Sequence, residues 1–286
     1  MTGNLTFFDN LDPRYRVIFC DVWGCLHNGV ESFPAAVQRL QHWRDEGRTV
    51  ILLTNAPRPA PPVAMQLAAL GVRDSCYNAI VTSGGAGLAA AVNEFPDQNF
   101  HFIGSARDRE VITAAGYSLD GDSASKVTIC TGFHEGHEDD TAFHDPEFQQ
   151  MVTNGSIFLC LNPDKMIMRG ATPELCAGAL AARYEAFGGT VRYFGKPHNP
   201  IYAYSHSEAS KIIGAPLSKS AILAIGDGVH TDLRGAYNYG LDFAFITGGI
   251  EAPKIAEIGI DAFLDEIIAV NRMPGYRPQI IAPSLA

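Results

Sequence analysis

The stretch RVIFCDVWGCLHNG (residues 16–29) sets an unbroken apolar run, Val17 to Cys20, directly before a carboxylate, Asp21, and a glycine-bearing turn. A short apolar run without alternation reads as a strand buried on both faces, the kind found in parallel sheets flanked by helices. The same form recurs along the chain. In TVILLTN (49–55), AIVTSGG (79–85), HFIGSA (101–106), KVTICTG (126–132), SIFLCLN (156–162), TVRYFGK (190–196), SAILAIGDG (220–228) and DFAFITGG (242–249) the apolar run gives way to glycine or polar residues. Helix-like stretches separate several of them: PAAVQRLQHWRDEG (34–47), PVAMQLAALG (62–71) and PELCAGALAARYEAFGG (173–189). Gly47, Gly71 and Gly188 stand where helices are commonly closed. The fold class this predicts is α/β with parallel sheet.

The 286 residues suffice for two domains at about 100–200 residues each. With 47% hydrophobic and 18% charged residues, the composition excludes a mainly disordered chain. The 31 acidic against 21 basic residues give a net charge of −10, a sign that repels a nucleic-acid backbone. No apolar run approaches the roughly 18 residues of a membrane span. The opening MTGNLTFFDN lacks the basic-then-apolar order of a secretory signal. Cys20, Cys25, Cys76, Cys130, Cys160 and Cys176 form neither a CxxC pair nor a zinc spacing, which fits reduced thiols in a cytoplasmic protein. Nucleic acid and membrane are therefore not expected partners, and a homo-oligomer is left open.

In α/β sheets ligands gather at the carboxyl ends of the strands, so those ends are where chemistry is sought. They carry Asp21, then Thr54 and Asn55, then Lys196, then Asp227 and Asp232. Carboxylates can hold a hard cation, and a lysine can neutralise a phosphoryl group beside it. A carboxylate can also attack phosphorus. Each residue alone reads as well as a helix cap or a surface charge. The ordered set, one member to each strand end, points to phosphoryl chemistry.

The order hhhhDxxGxL, hhhTN, GKP and GDxxxTDhxGAxxxGh resembles the motif order of the haloacid dehalogenase superfamily. AIGDGVHTDLRGAYNYGLDFAFITGG (224–249) is similar to its class IIA phosphatases, and NPDK (162–165) to the run where their α/β cap returns to the core. The resemblance implies a Rossmann-like, HAD-like core over 1–84 and 190–286 with an inserted α/β cap domain over 85–189. It implies a Mg2+-dependent phosphatase acting on a small phosphorylated metabolite. Asp21 would be the nucleophile, with Thr54, Asn55 and Lys196 binding the phosphoryl group and Lys196 also pairing with Asp21. Asp21, the backbone carbonyl of Trp23, Asp227 and Asp232 would serve the metal.

One position departs from that pattern. The family's phosphatases carry a second Asp two residues after the nucleophile, which protonates the leaving oxygen and then activates water. Here it is Trp23, whose indole offers one N–H and does not titrate near neutrality. General acid–base help is worth about 10²–10⁴-fold, so poor leaving groups are expected to turn over badly. His27 is the one nearby candidate for a substitute acid. Two rival readings follow from Trp23: a phospho-ligand-binding or regulatory protein with reduced catalysis, and an enzyme whose leaving group needs no proton.

Other signals are weaker. VTSGGAGLAAAV (81–92) contains G-x-G-x-x-A, but no acid closes the next strand as a dinucleotide site requires, so a glycine-rich turn is expected. FHEGHEDDTAFHDPEFQ (133–149) reads as a solvated surface segment rather than a metal motif. Arg58 is read either as an anion contact or as a loop cap, and Cys20 and Cys25 as small buried packing residues.

Overall fold

The computed structural model describes residues 8–96, 98–169 and 172–286. The first seven residues, on which most of the signal-peptide reading rests, lie outside the described residues. In chain order the strands are β1 (Val17–Asp21), β2 (Thr49–Thr54), β3 (Ala79–Thr82), β4 (His101–Ile103), β5 (Val127–Cys130) and β6 (Ile157–Cys160). They continue as β7 (Met166–Arg169), β8 (Thr172–Leu175), β9 (Thr190–Tyr193), β10 (Ile222–Gly226), β11 (Asp242–Ile246) and β12 (Ile280–Ala282). Among the described residues these form a six-stranded sheet, a four-stranded sheet and a two-stranded hairpin. The fold is α/β, as expected. No helix among the described residues is long and apolar enough to cross a membrane.

The chain divides into two compact units. The first takes in the residues up to Thr54, Ala64–Val81 and Tyr202–Ala286. Its sheet runs β12-β11-β10-β1-β2-β3, and β1 pairs in parallel with both β10 and β2. All five residues of β1 and of β10 are buried, which is why their sequences show no polar alternation. From β1 the chain moves outward through β2 and β3, and later through β10, β11 and β12 on the other side. The direction reverses between β1 and β10, where a doubly wound sheet opens its crevice. Register aligns the ends: Asp21 lies beside Leu53 of β2, and Cys20 beside Ile225 of β10. Asp21, Thr54 and Asp227 therefore leave the sheet at nearly the same level.

The second unit comprises Asn55–Val63 and Thr82–Ile201. Its sheet, β4-β5-β6-β9, is parallel throughout. Strand periodicity sends neighbouring residues to opposite faces. Phe102, Ile129 and Leu159 pack with Leu88 and Ile112 of the helices Ser83–Glu94 and Ala106–Ala114. Ile103, Cys130 and Phe158 pack on the other face with Phe148 and Leu180 of the helices Asp145–Thr153 and Ala177–Ala186.

Two expectations change here. The sequence places the strand preceding Lys196 in the core over 190–286, but β9 pairs with β6 in the four-stranded sheet. The chain leaves the second unit only at Ile201, within the helix Asn199–Ile213, and enters it after Val81. The glycines of 81–92 form a helix rather than a turn. Thr82 caps it by accepting the Gly85 N–H at 2.8 Å, and a Cβ on Gly84 would stand 2.0 Å from the Pro57 carbonyl oxygen. Close backbone packing accounts for this glycine, where the dinucleotide pattern had offered another reason.

Candidate active site

Asp21 ends β1 and is buried. The chain then turns through Gly24, whose N–H donates to the His27 carbonyl at 2.9 Å. Gly24 has φ +78°, a conformation side chains rarely adopt, and a Cβ there would stand 2.1 Å from Asp227 Oδ2. Gly249 approaches from the other direction, with a built Cβ 2.0 Å from the same oxygen. The Ile250 N–H donates to Asp227 Oδ2 at 2.9 Å. The buried Asp227 carboxylate is thus set between two backbone segments that admit no side chain. Asp21, Cys25 and Asp227 each present one ligand atom, and all lie within 4.8 Å of one another.

The two carboxylates of this set fit a hard divalent cation. The two carboxylates supply anionic oxygens, and the oxygen-only preference of Mg2+ leaves its other positions to carbonyl or water. Burial pushes the Cys25 thiol well above its ordinary pKa, and the neighbouring Asp21 and Asp227 push it further. Asp232 does not join the cluster among the described residues. Its Oδ2 accepts the Gly228 N–H at 3.2 Å and the Thr231 hydroxyl at 3.0 Å, which fastens the turn carrying Asp227.

Trp23 is 38% exposed. Its indole meets His27 edge-on at 5.3 Å, and the far edge of the ring lies over Gly29, where a Cβ would stand 2.4 Å from Cη2. The Gly29 N–H donates to His27 Nδ1 at 3.0 Å, which makes that nitrogen an acceptor and leaves the ring proton on Nε2. Burial lowers the His27 pKa. The neutral ring, with Nδ1 engaged, is poorly made to be a general acid.

Thr54 ends β2, half-buried, in the first unit. Asn55 and Lys196 belong to the second. Asn55 Oδ1 accepts the Lys196 N–H at 2.7 Å, while its Nδ2 donates to the Lys196 carbonyl at 3.1 Å and to Asp164 Oδ1 at 3.0 Å. The amide is committed to holding the Lys196 backbone, a task its expected role at the phosphoryl oxygens had not included. Arg58 Nε donates to Asp108 Oδ1 at 2.6 Å, and Ser105 caps the same helix through the Asp108 N–H. The segment 133–149 is not wholly solvated: His144 is buried and pairs with Glu147, which also accepts from His101. The sequence reading missed Cys25 as a member of the carboxylate cluster; its place four residues after Asp21 was the only signal.

A family profile described as haloacid dehalogenase-like hydrolase matches residues 18–118, and one described as HAD-hydrolase-like matches residues 193–286. The chain is 37% identical to a crystallised hydrolase of the haloacid dehalogenase-like family from Brucella suis 1330, covering 98% of this chain and 99% of that one with a TM-score of 0.80. It is 24% identical over 243 residues to the 5'-nucleotidase YutF of Bacillus subtilis (strain 168), covering 82% of this chain and 88% of that protein. It shares the fold of a p-nitrophenyl phosphatase from Archaeoglobus fulgidus, with a TM-score of 0.72 at 18% identity over 96% of this chain and 97% of that one.

Proposed function

The chain belongs to the haloacid dehalogenase-like hydrolases, and from that premise we propose that it is a Mg2+-dependent phosphatase of small phosphorylated metabolites that works through an aspartyl-phosphate on Asp21. The observation that carries this reading is the buried Asp21–Asp227 pair at the carboxyl ends of β1 and β10, closed in by Gly24 and Gly249. The names of YutF and of the Archaeoglobus enzyme agree with a phosphomonoester as substrate.

In the first step an Asp21 oxygen bonds to phosphorus as the ester P–O bond breaks, and the leaving oxygen takes the electron pair. In the second, water attacks phosphorus, gives up a proton, and frees the Asp21 carboxylate. Mg2+ held by Asp21, Asp227 and the Trp23 carbonyl would offset the repulsion between carboxylate and phosphoryl group. The Thr54 hydroxyl and the backbone N–H of Asn55 bind phosphoryl oxygens. The resemblance gives the Lys196 ammonium the task of neutralising the phosphoryl group, and the Asn55 amide holds its backbone. Asp232 supports the metal by fastening the 228–232 turn. The second unit, Asn55–Val63 with Thr82–Ile201, corresponds to the inserted cap that the resemblance implies.

Both steps lack an acid–base residue at position 23, and His27 is poorly poised to replace it. Substrates whose leaving group departs unprotonated, such as aryl or acyl phosphates, are therefore the favoured ones. Calorimetry of Mg2+ binding tests the metal assignment. Asp227→Asn should weaken Mg2+ sharply, and an unchanged affinity in the folded variant removes the assignment.

A further inference from the structure

Cys25 sits where the proposed Mg2+ chemistry has no use for it. Its Sγ and one oxygen each of Asp21 and Asp227 lie within 4.8 Å of one another, and all three residues are buried. The other five cysteines each donate S–H to an oxygen: Cys20 to the Asp21 carbonyl, Cys76 to Gln41, Cys130 to the Gly132 carbonyl, Cys160 to the Asn162 carbonyl and Cys176 to the Glu174 carbonyl. Among the described residues Cys25 alone has no such acceptor, although it is only 2% exposed. Two carboxylates and an unpartnered, buried thiol therefore converge on one point.

We propose that Asp21, Cys25 and Asp227 bind a thiophilic divalent cation, Zn2+ or Cd2+, in competition with Mg2+. The proposal rests on the reading of Asp21 and Asp227 as the Mg2+ pair. Zinc takes sulfur at about 2.3 Å and carboxylate oxygen at about 2.0–2.2 Å in a tetrahedral arrangement, so its ligand atoms stand about 3.4–3.7 Å apart. The three atoms here lie within 4.8 Å of one another, so binding draws them together by about 1 Å at most, a movement that side-chain rotation supplies. On binding, the S–H bond of Cys25 breaks, its proton passes to water and a sulfur–metal bond forms, with no change of oxidation state. The cation then meets three anionic ligands, one of them soft. Thiolate ligation and the order of divalent affinities both favour Zn2+ over a hard cation. With Mg2+ the thiol stays protonated and unliganded, because Mg2+ takes oxygen ligands.

The test uses the full chain freed of metal. Cd2+ is titrated while the ultraviolet sulfur-to-cadmium charge-transfer band is followed, and Mg2+ and Cd2+ affinities are measured by calorimetry in the wild type, Cys25→Ser, Cys25→Ala and Asp227→Asn. The expected result is a band that saturates at equimolar Cd2+ and is displaced by excess Mg2+. Both Cys25 variants should lose the band and bind Cd2+ about 100-fold more weakly, the upper end of what losing even an outer-shell metal partner costs. Their Mg2+ affinity should stay within about twofold of wild type, since Mg2+ makes no use of sulfur. No band in the wild type, or a band that survives in both Cys25 variants, overturns the proposal while Asp227-dependent Mg2+ binding keeps the phosphatase reading intact. Mg2+ binding indifferent to Asp227→Asn overturns the Mg2+ reading and this proposal with it.

Discussion

Trp23→Asp restores a titratable group at the one motif position where this chain lacks it, and its consequences divide by leaving group. The structural cost comes from the indole, which lies over Gly29 and meets His27 edge-on at 5.3 Å. Emptying a fully buried aromatic site costs about 3–5 kcal/mol. Trp23 is 38% exposed, so about 1–3 kcal/mol is expected here. That is a survivable loss for a domain stable by about 5–15 kcal/mol. The gain is acid–base help of about 10²–10⁴-fold in turnover of an alkyl phosphate, whose leaving alkoxide needs a proton. An aryl phosphate gains only in hydrolysis of the aspartyl-phosphate. The assay is steady-state turnover of an alkyl phosphate and of p-nitrophenyl phosphate with Mg2+ across pH, beside a thermal melt of each protein. The wild type should strongly prefer the aryl ester and the variant should narrow the gap. A wild type that cleaves both esters equally well, or a folded variant with an unchanged ratio, would contradict an acid–base deficit at position 23.

Gly249→Ala places a methyl group 2.0 Å from Asp227 Oδ2, beside the Ile250 N–H that this oxygen accepts. The carboxylate must move, and Mg2+ affinity should fall about 10–100-fold by calorimetry, the scale set by disturbed metal-orienting partners; unchanged affinity in a folded variant contradicts the cradle. Glu147 is held at about 2, below the ordinary 4.5, because hydrogen bonds from His101 and His144 outweigh the upward push of burial. A depressed carboxylate stabilises the folded state above its ordinary pKa and loses that contribution as pH falls from about 4.5 to about 2. Thermal melts of wild type and Glu147→Gln should therefore converge as pH drops through that interval, and parallel curves across it count against the assignment.

The strands around the site were legible because burial on both faces leaves a plain mark: VIFCD and ILAIG each bury all five residues. Asp21, Thr54 and Asp227 could be placed at strand ends because β1, β2 and β10 are neighbours in register. Which sheet a strand joins was not legible. TVRY reads like the strands of the six-stranded sheet, yet its partner is β6, a choice made by long-range pairing and not by local composition. The Asn55 amide bonds a residue 141 positions away, and Cys25 meets an Asp227 that follows it by some two hundred residues, so neither contact has a local signature. His144 hides in a polar stretch for a similar reason. Glu147, three residues on, pairs with it there, and that carboxylate in turn bonds His101 from a distant strand.

Transfer of the phosphoryl group to Asp21 is the step on which the phosphatase assignment depends. Rapid mixing with p-nitrophenyl phosphate and Mg2+, acid quench and mass analysis of the peptide containing Asp21 measure that transfer. Because no aspartate stands at position 23 to activate water, the aspartyl-phosphate should accumulate. The predicted result is a burst of nitrophenolate equimolar with protein and one phosphoryl group on Asp21, both absent in Asp21→Asn and without Mg2+. Turnover with no phosphoryl group on Asp21, or turnover retained in Asp21→Asn, would contradict it.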